Sequence, residues 1–181
     1  MLTHRGTQTI RTSRLILRQV TVADAPAAFQ NWMSDKEVTR YLTWPPHENS
    51  DISAMIIADW VGRYSNNDFY QWGIEWEDEL IGSISVVDKD DTVERMEIGY
   101  CIGKAWWHKG IMSEALAAVI NYLFDEVGVQ RISARHDPRN PHSGAVMRKC
   151  GMTFEGTLRR SDRNNQGICD ASIYSILSSE R

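Results

Sequence analysis

Apolar positions along this chain switch between two periods, and the switches mark its elements. Leu116, Val119, Ile120, Leu123 and Phe124 recur at i, i+3, i+4, i+7 and i+8, the stripe of a helix buried along one side. That helix is read from Ser113 to Phe124, and Gly128 stops it. Leu15-Ile16-Leu17-Arg18-Gln19, bounded by Thr12-Ser13, reads as a first strand. Thr21-Val22-Ala23-Asp24 forms a capping box before a helix through Trp32, with Ala25, Ala28, Phe29 and Trp32 at helical spacing. Pro26 falls in its first turn, where a missing N–H costs little. Trp44-Pro45-Pro46 forces an extended break. Ser50 or Asp51 then caps a second helix with Ile52, Met55, Ile56 and Trp60 on one side.

The middle of the chain alternates at period two. Phe69 to Trp76, the acidic turn Glu77-Asp78-Glu79 and Leu80 to Val87 form a hairpin pattern. A polar turn from Asp88 to Thr92 leads into a third strand, Val93 to Ile102. Val129 to His136 is a strand, and Asn140 to Cys150 a helix with Lys149 in its last turn and Gly151 as C′ residue. Met152 to Leu158 and Ala171 to Leu177 close the pattern around a polar loop, Ser161 to Gly167. No repeat, low-complexity tract or linker divides the chain, so one mixed α+β domain over residues 1–181, with a core from about 14 to 177, is the economical expectation.

Composition narrows the function classes. At 181 residues, such a domain can remove about 70% of its unfolded surface from water. Hydrophobic residues are 42% and charged residues 24%, and the net charge is −4, so there is no broad basic field for nucleic acid. The polar start has no signal-peptide core, and no apolar run is long enough to cross a membrane. Cys101, Cys150 and Cys169 are widely spaced and never CxxC, which reads as reduced thiols and a cytoplasmic address.

The strongest chemical signal is Trp106-Trp107-His108-Lys109-Gly110-Ile111-Met112-Ser113-Glu114-Ala115-Leu116, between the Glu97–Ile102 strand and the long helix. A glycine before a helix start lets backbone crowd a ligand, and first-turn amides carry a partial positive charge. Strand, glycine turn and helix together read as a phosphate or pyrophosphate cradle. Competing motifs are missing. There is no GxxxxGK[ST], GxGxxG or GxSxG, and His136, Asp137, His142 and Cys150 match no metal-ligand spacing, so no metal is expected.

Six segments, in order, resemble the GCN5-related N-acetyltransferase (GNAT) superfamily, and more closely its branch of ribosomal-protein alanine or serine N-acetyltransferases. They are Arg14-Leu15-Ile16-Leu17-Arg18, Tyr41-Leu42-Thr43-Trp44-Pro45-Pro46, Glu97-Ile98-Gly99-Tyr100, Trp107 to Ala115, Asn140-Pro141-His142-Ser143 and Gly151-Met152-Thr153-Phe154-Glu155-Gly156. The resemblance implies a splayed, mainly antiparallel sheet of six or seven strands with about four flanking helices. It implies acetyl-CoA as donor, between the Glu97 and Val129 strands, and direct transfer to a primary amine, either a protein N-terminus or a small amine. Amides of His108, Lys109, Gly110, Ile111, Met112 and Ser113 would face the pyrophosphate, and those of Tyr100, Cys101 and Ile102 would polarise the thioester carbonyl. The family pattern puts Gln or Arg, Gly, and Gly or Ala where this chain has Trp107, Gly110 and Met112. Only the middle glycine matches, and Met112 leaves less room than alanine. Asn140 matches a family contact to the pantetheine arm, but is equally an ordinary N-cap before Pro141. Homodimers are common among relatives, though no feature of the sequence specifies one.

Where many members carry a tyrosine near the leaving sulfur, this chain has Met147, whose thioether cannot donate a proton. Ser143 is the hydroxyl the closer branch uses instead. Glu97 leaves the apolar row Met96, Ile98, Tyr100 and Ile102, and is favoured as base, with Glu155 kept as a substrate or water contact. Tyr41, Trp44 and Trp72 are the candidates for an acceptor cleft. The rival from another class is a non-catalytic acyl-CoA-binding module of this fold, for which Met147 is the main argument.

Overall fold

Eight strands join into one sheet: β1 (Ile10–Arg11), β2 (Leu15–Arg18), β3 (Gln71–Trp76), β4 (Glu79–Asp90), β5 (Arg95–Ile102), β6 (Arg131–His136), β7 (Thr153–Asn164) and β8 (Gly167–Leu177). The computed structural model describes residues 2–181. Strand order is β1-β2-β3-β4-β5-β6-β8-β7, and every neighbouring pair is antiparallel except β5 and β6. Among the described residues five α-helices accompany the sheet: α1 (Ala25–Ala28), α2 (Lys36–Thr39), α3 (Ser50–Arg63), α4 (Ile111–Tyr122) and α5 (Pro141–Lys149). The mixed class and the mainly antiparallel sheet expected from sequence are both present, with one strand more than expected. That extra strand is the two-residue edge β1, too short to carry a period. The polar stretch read as a loop from Ser161 to Gly167 belongs mostly to the β7–β8 hairpin, which pairs as far as Asn164 opposite Gly167.

Alternate side chains serve opposite faces, as the strand geometry requires. On β5, Met96, Ile98, Tyr100 and Ile102 pack with Trp72, Ile74, Leu116, Ile120 and Met147 under α4 and α5. Cys101 joins the other cluster, where Val20, Ala28, Trp32, Ile57 and Leu80 pack under α1 and α3. All five residues of the predicted stripe are buried, Leu116, Val119 and Ile120 on α4 and Leu123 and Phe124 in the π turn (Leu123–Val127) that follows it. At about 1.5–3 kcal/mol for each large apolar side chain removed from water, this burial is the main hold on α4.

Two helical readings change. The helix expected through Trp32 is a 3₁₀ turn (Val22–Asp24), α1 and a π turn (Phe29–Met33), although the Thr21 box closes, with Asp24 accepting from the Thr21 amide at 2.7 Å. The cap of α3 is Asn49, whose Oδ1 accepts from the amides of Asp51 and Ile52 at 3.1 and 3.2 Å. Its buried side is Ser53 and Ile57, while Met55 is 72% exposed. Buried Ser53 hydrogen-bonds His47 at 2.7 Å, so a polar residue occupies the stripe that the sequence pattern placed elsewhere.

Candidate active site

The site begins where two parallel strands part. β5 and β6 pair at Arg95–Arg131, Met96–Ile132 and Glu97–Ser133, and no further. β5 continues against β4 to Ile102, and β6 continues against β8 to His136. A wedge opens between them from Glu97 onward, so the backbone of Tyr100, Cys101 and Ile102 faces a space with no strand in it. The indole N–H of Trp107 donates to the Ile102 carbonyl at 2.9 Å, which ties the following loop to the end of β5.

At the mouth of the wedge that loop bends sharply into α4. His108 has φ +60°, and Gly110, the N-cap, has φ +73° with no side-chain cap on the helix. The side chains of Ile111, Met112 and Ser113 are buried, so these residues offer the groove only their amides. Met112 therefore does not crowd the bend, contrary to the sequence expectation, because helix geometry turns it into the core. A Cβ built on Gly110 would sit 3.6 Å from Lys149 Nζ and 3.7 Å from Arg14 Nη2. Uncapped amides, a bare glycine and two converging cations fit a diphosphate. Nothing in the sequence pattern signalled Arg14 or Lys149. Glu114 fastens this corner: it accepts from Thr12 Oγ1 at 2.6 Å, Ser13 Oγ at 3.0 Å, and Arg14 N and Nε at 3.0 and 2.7 Å.

Farther along the wedge, Asn140 sits at the N-cap of α5 but makes no side-chain cap hydrogen bond, so capping is not its task in this structure. Ser143 lies in the first turn of α5. Its Oγ is 3.1 Å from the Tyr100 hydroxyl, which also donates to the Ser143 carbonyl at 3.1 Å. With the tyrosine proton on the carbonyl, the serine hydroxyl is left to donate to Tyr100 or to a ligand. Burial pushes the Tyr100 phenol well above its ordinary range, partly offset by the Ser143 bond, so it stays protonated. Met147, one turn on from Ser143, is buried in the core cluster against which Tyr100 packs.

Glu97 lies on the opposite sheet face, at the fork itself. Its side chain is 14% exposed and meets Arg135 Nη1 at 2.8 Å. Burial raises its proton affinity, Arg135 pulls it down, Asp88 and Asp162 push it up and Arg95 pulls it down, with a net rise. In β4 a bulge between Val86 and Asp88 faces this point. Val87 leans over Gly99 there, so closely that a Cβ on Gly99 would meet Val87 Cγ1 at 2.7 Å.

Glu155 is engaged elsewhere. It holds Arg131 through two 2.7 Å bonds and accepts from Ser175 at 2.6 Å. Those bonds, against the pull of burial, keep its carboxyl at about 2, so it binds no proton near neutrality and serves as a clasp between β6, β7 and β8. Cys101 is half-buried, its Sγ 3.6 Å from Ser83 Oγ, and desolvation pushes its thiol to about 11, out of reach of nucleophilic use.

Of the three aromatic candidates, two stand in the segment that the β7–β8 tip holds. Tyr41 and Trp44 are half-buried in the segment before α3, and Asn165 at the β7–β8 tip donates to the carbonyls of Thr39 and Trp44 at 2.8 and 2.7 Å. An open depression of about 710 Å³ lies between Thr43, Pro45 and the hairpin tip at Arg163–Asn165. Trp72 is a correction: it is fully buried on the α4 side, its indole N–H bonded to the Gln8 carbonyl at 2.7 Å. A larger groove of about 960 Å³, beside His4, Arg11 and Tyr122, contains none of the site residues. Among the described residues no His, Cys, Asp and Glu cluster could hold a metal ion, and no helix is long and apolar enough to cross a membrane.

Comparison with known proteins agrees with this geometry. The family described as an acetyltransferase (GNAT) domain matches residues 14–153. YoaA, an uncharacterized N-acetyltransferase of Bacillus subtilis, is 36% identical over 170 residues, 93% of this chain and 96% of that protein. The [ribosomal protein uS5]-alanine N-acetyltransferase of Escherichia coli is 29% identical over 158 residues, 81% of this chain and 79% of the relative. A solved GNAT-family acetyltransferase from Bacillus anthracis superposes with a TM-score of 0.84 at 26% identity, covering 96% of this chain and 100% of that one. The chain belongs to the GNAT acetyltransferase family: it is an N-acetyltransferase with acetyl-CoA as its co-substrate.

Proposed function

We propose that this enzyme acetylates the α-amine of a protein N-terminus by direct transfer, with donor and acceptor bound together and Glu97 as the general base. The observation that carries this reading is the place of Glu97: a half-buried carboxylate at the fork of β5 and β6, on the sheet face opposite α4 and α5. Acetyl-CoA supplies the acetyl group as a thioester, and the chain's own groups do the rest. Amides at Gly110–Ser113, with Arg14 and Lys149, hold the diphosphate end. Asn140 and the β5 edge at Tyr100–Ile102 align the arm and the carbonyl. An α-amine titrates near pH 8, so a carboxylate of raised proton affinity is well matched to take its proton. Ser143, oriented by Tyr100, hydrogen-bonds the departing sulfur, whose thiol pKa of about 8.5 makes full protonation unnecessary at that moment.

A chain terminus is favoured over a small amine by two features. The depression at Thr43, Pro45 and the hairpin tip, in the segment that carries Tyr41 and Trp44, is open rather than enclosed, so the body of a polypeptide can remain outside. The uS5-alanine relative acts on a ribosomal protein by its name. Glu155 has no part in the chemistry of this scheme. The test is turnover of acetyl-CoA with a panel of peptides and small amines, comparing the native chain with Glu97→Gln. We expect kcat to fall by about 10²–10⁴ with CoA affinity unchanged, the ordinary yield of a general base. Retention of activity within a few-fold would remove Glu97 from the mechanism, and small amines outpacing every peptide would overturn the acceptor.

A further inference from the structure

The charged groups around Glu97 come from four strands and do not cancel. Asp88 on β4 is paired with Arg95 on β5 at 2.7 Å. What remains is a row across β5, β6 and β7: Glu97, Arg135 and Asp162. Arg135 Nη1 meets Glu97 Oε1 at 2.8 Å, and its Nε meets Asp162 Oδ2 at 2.7 Å. One guanidinium thus bridges two carboxylates, two residues beyond Ser133, where the β5–β6 ladder has ended and no backbone pairing fixes the distance between the strands. Asp162 lies at a β7 irregularity between Leu158 and Asp162, beyond the span matched by the family.

We infer that Arg135 and Asp162 are positioning residues for acetyl transfer: Asp162 anchors the Arg135 fork, and the fork aims the Glu97 carboxylate across the open end of the wedge. The inference rests on the reading of Glu97 as base. A guanidinium is planar and donates along fixed directions, so gripping Asp162 through Nε sets where Nη1 can present itself to Glu97. The row carries two negative charges and one positive, which leaves a net attraction for an incoming ammonium. Arg135 shares its charge between two partners, so Glu97 stays held in place without losing its capacity to take a proton. Either partner of Arg135 can change how much of that charge Glu97 receives.

The two outer members should therefore act in opposite senses. In Arg135→Gln, Glu97 loses its nearest cation, and the acidic limb of the kcat/KM profile should move up by about 0.5–1 pH unit. In Asp162→Asn, Glu97 loses a carboxylate neighbour and gains a larger share of Arg135, so the limb should move down by a similar amount. Arg135→Lys keeps the charge but not the fork, so it should hold the limb near its native position while kcat falls severalfold. Thermal unfolding of each variant separates these effects from misfolding, and Asp162→Asn alone tests the sign if Arg135→Gln does not fold. Limbs that shift in the same direction, or do not shift while Glu97→Gln still abolishes turnover, overturn the inference and leave the base standing. An active Glu97→Gln overturns the base, and the inference with it.

Discussion

Replacing Glu114 with Gln tests whether the donor cradle is held by electrostatics from outside α4. Glu114 gathers four hydrogen bonds from the Thr12–Arg14 turn, and Arg14 in turn donates to the Lys109 carbonyl at 3.0 Å, one residue before the bend. Burial works to raise the Glu114 carboxyl, but the bonds from Thr12, Arg14 and Ser13 outweigh it and bring it from 4.5 to about 2. At about 1.4 kcal/mol per tenfold change in proton affinity, that displacement bounds the tie at about 3 kcal/mol. Arg14 is 42% exposed, so solvent screens the ionic part. We take about 1–2 kcal/mol as the realised share. Glutamine can keep the bonds from Thr12 and Ser13, but its amide N–H faces the Arg14 donor. For a domain of this size the loss corresponds to a Tm lower by about 3–6 °C at neutral pH. Because the folded carboxyl titrates below the unfolded one, its stabilisation is complete about one pH unit above the unfolded value of 4.5 and disappears as pH falls through the folded value of about 2. The Tm gap between native protein and variant should therefore be constant from pH 7 to about pH 5.5 and shrink below that. Circular dichroism melts of both proteins across this range measure the gap. A gap that is independent of pH down to 3.5, or a variant as stable as the native chain, would show that Glu114 does not hold this corner.

Two further substitutions probe the donor wedge. Gly110→Ala puts a Cβ on a residue at φ +73°, with no atom nearer than 3.6 Å, so strain of about 1–2 kcal/mol is expected without a clash. CoA affinity should fall tenfold or more while Tm drops only a few degrees; an unchanged Kd would move the diphosphate away from the bend. Ser143→Ala and Tyr100→Phe should each lower kcat by about tenfold, the value of one neutral hydrogen bond, and the double variant should lose little more than either alone. Full additivity in steady-state kinetics would separate the two hydroxyls.

What the sequence disclosed and what it hid follow from the distance over which each feature is encoded. The α4 stripe and Gly110 are local, and they stand where the pattern puts them, because a period of 3.6 and a positive φ need only neighbouring residues. Parity along a strand is equally local: Tyr70, Trp72 and Ile74 share one face and are all buried, so the burial of Trp72 could be read from its even step to Ile74. In α3 the pattern misled because Met55 and Ile56 are apolar yet exposed, while Ser53 is polar yet fully buried. The buried face packs Ile57 against the α1 cluster and gives Ser53 a partner in His47, both outside the helix. The Arg135 bridge was beyond reach for a deeper reason. Its two partners lie 38 residues before and 27 after it in the chain, and only the register of β5, β6, β8 and β7 brings them to one place. Glu97 could be singled out by its parity against an apolar row. Its surroundings, which decide whether a carboxylate there can act as a base, arise from the parting of two strands that no short motif records. Local pattern thus positions the donor, whereas long-range register assembles the groups that would meet the acceptor.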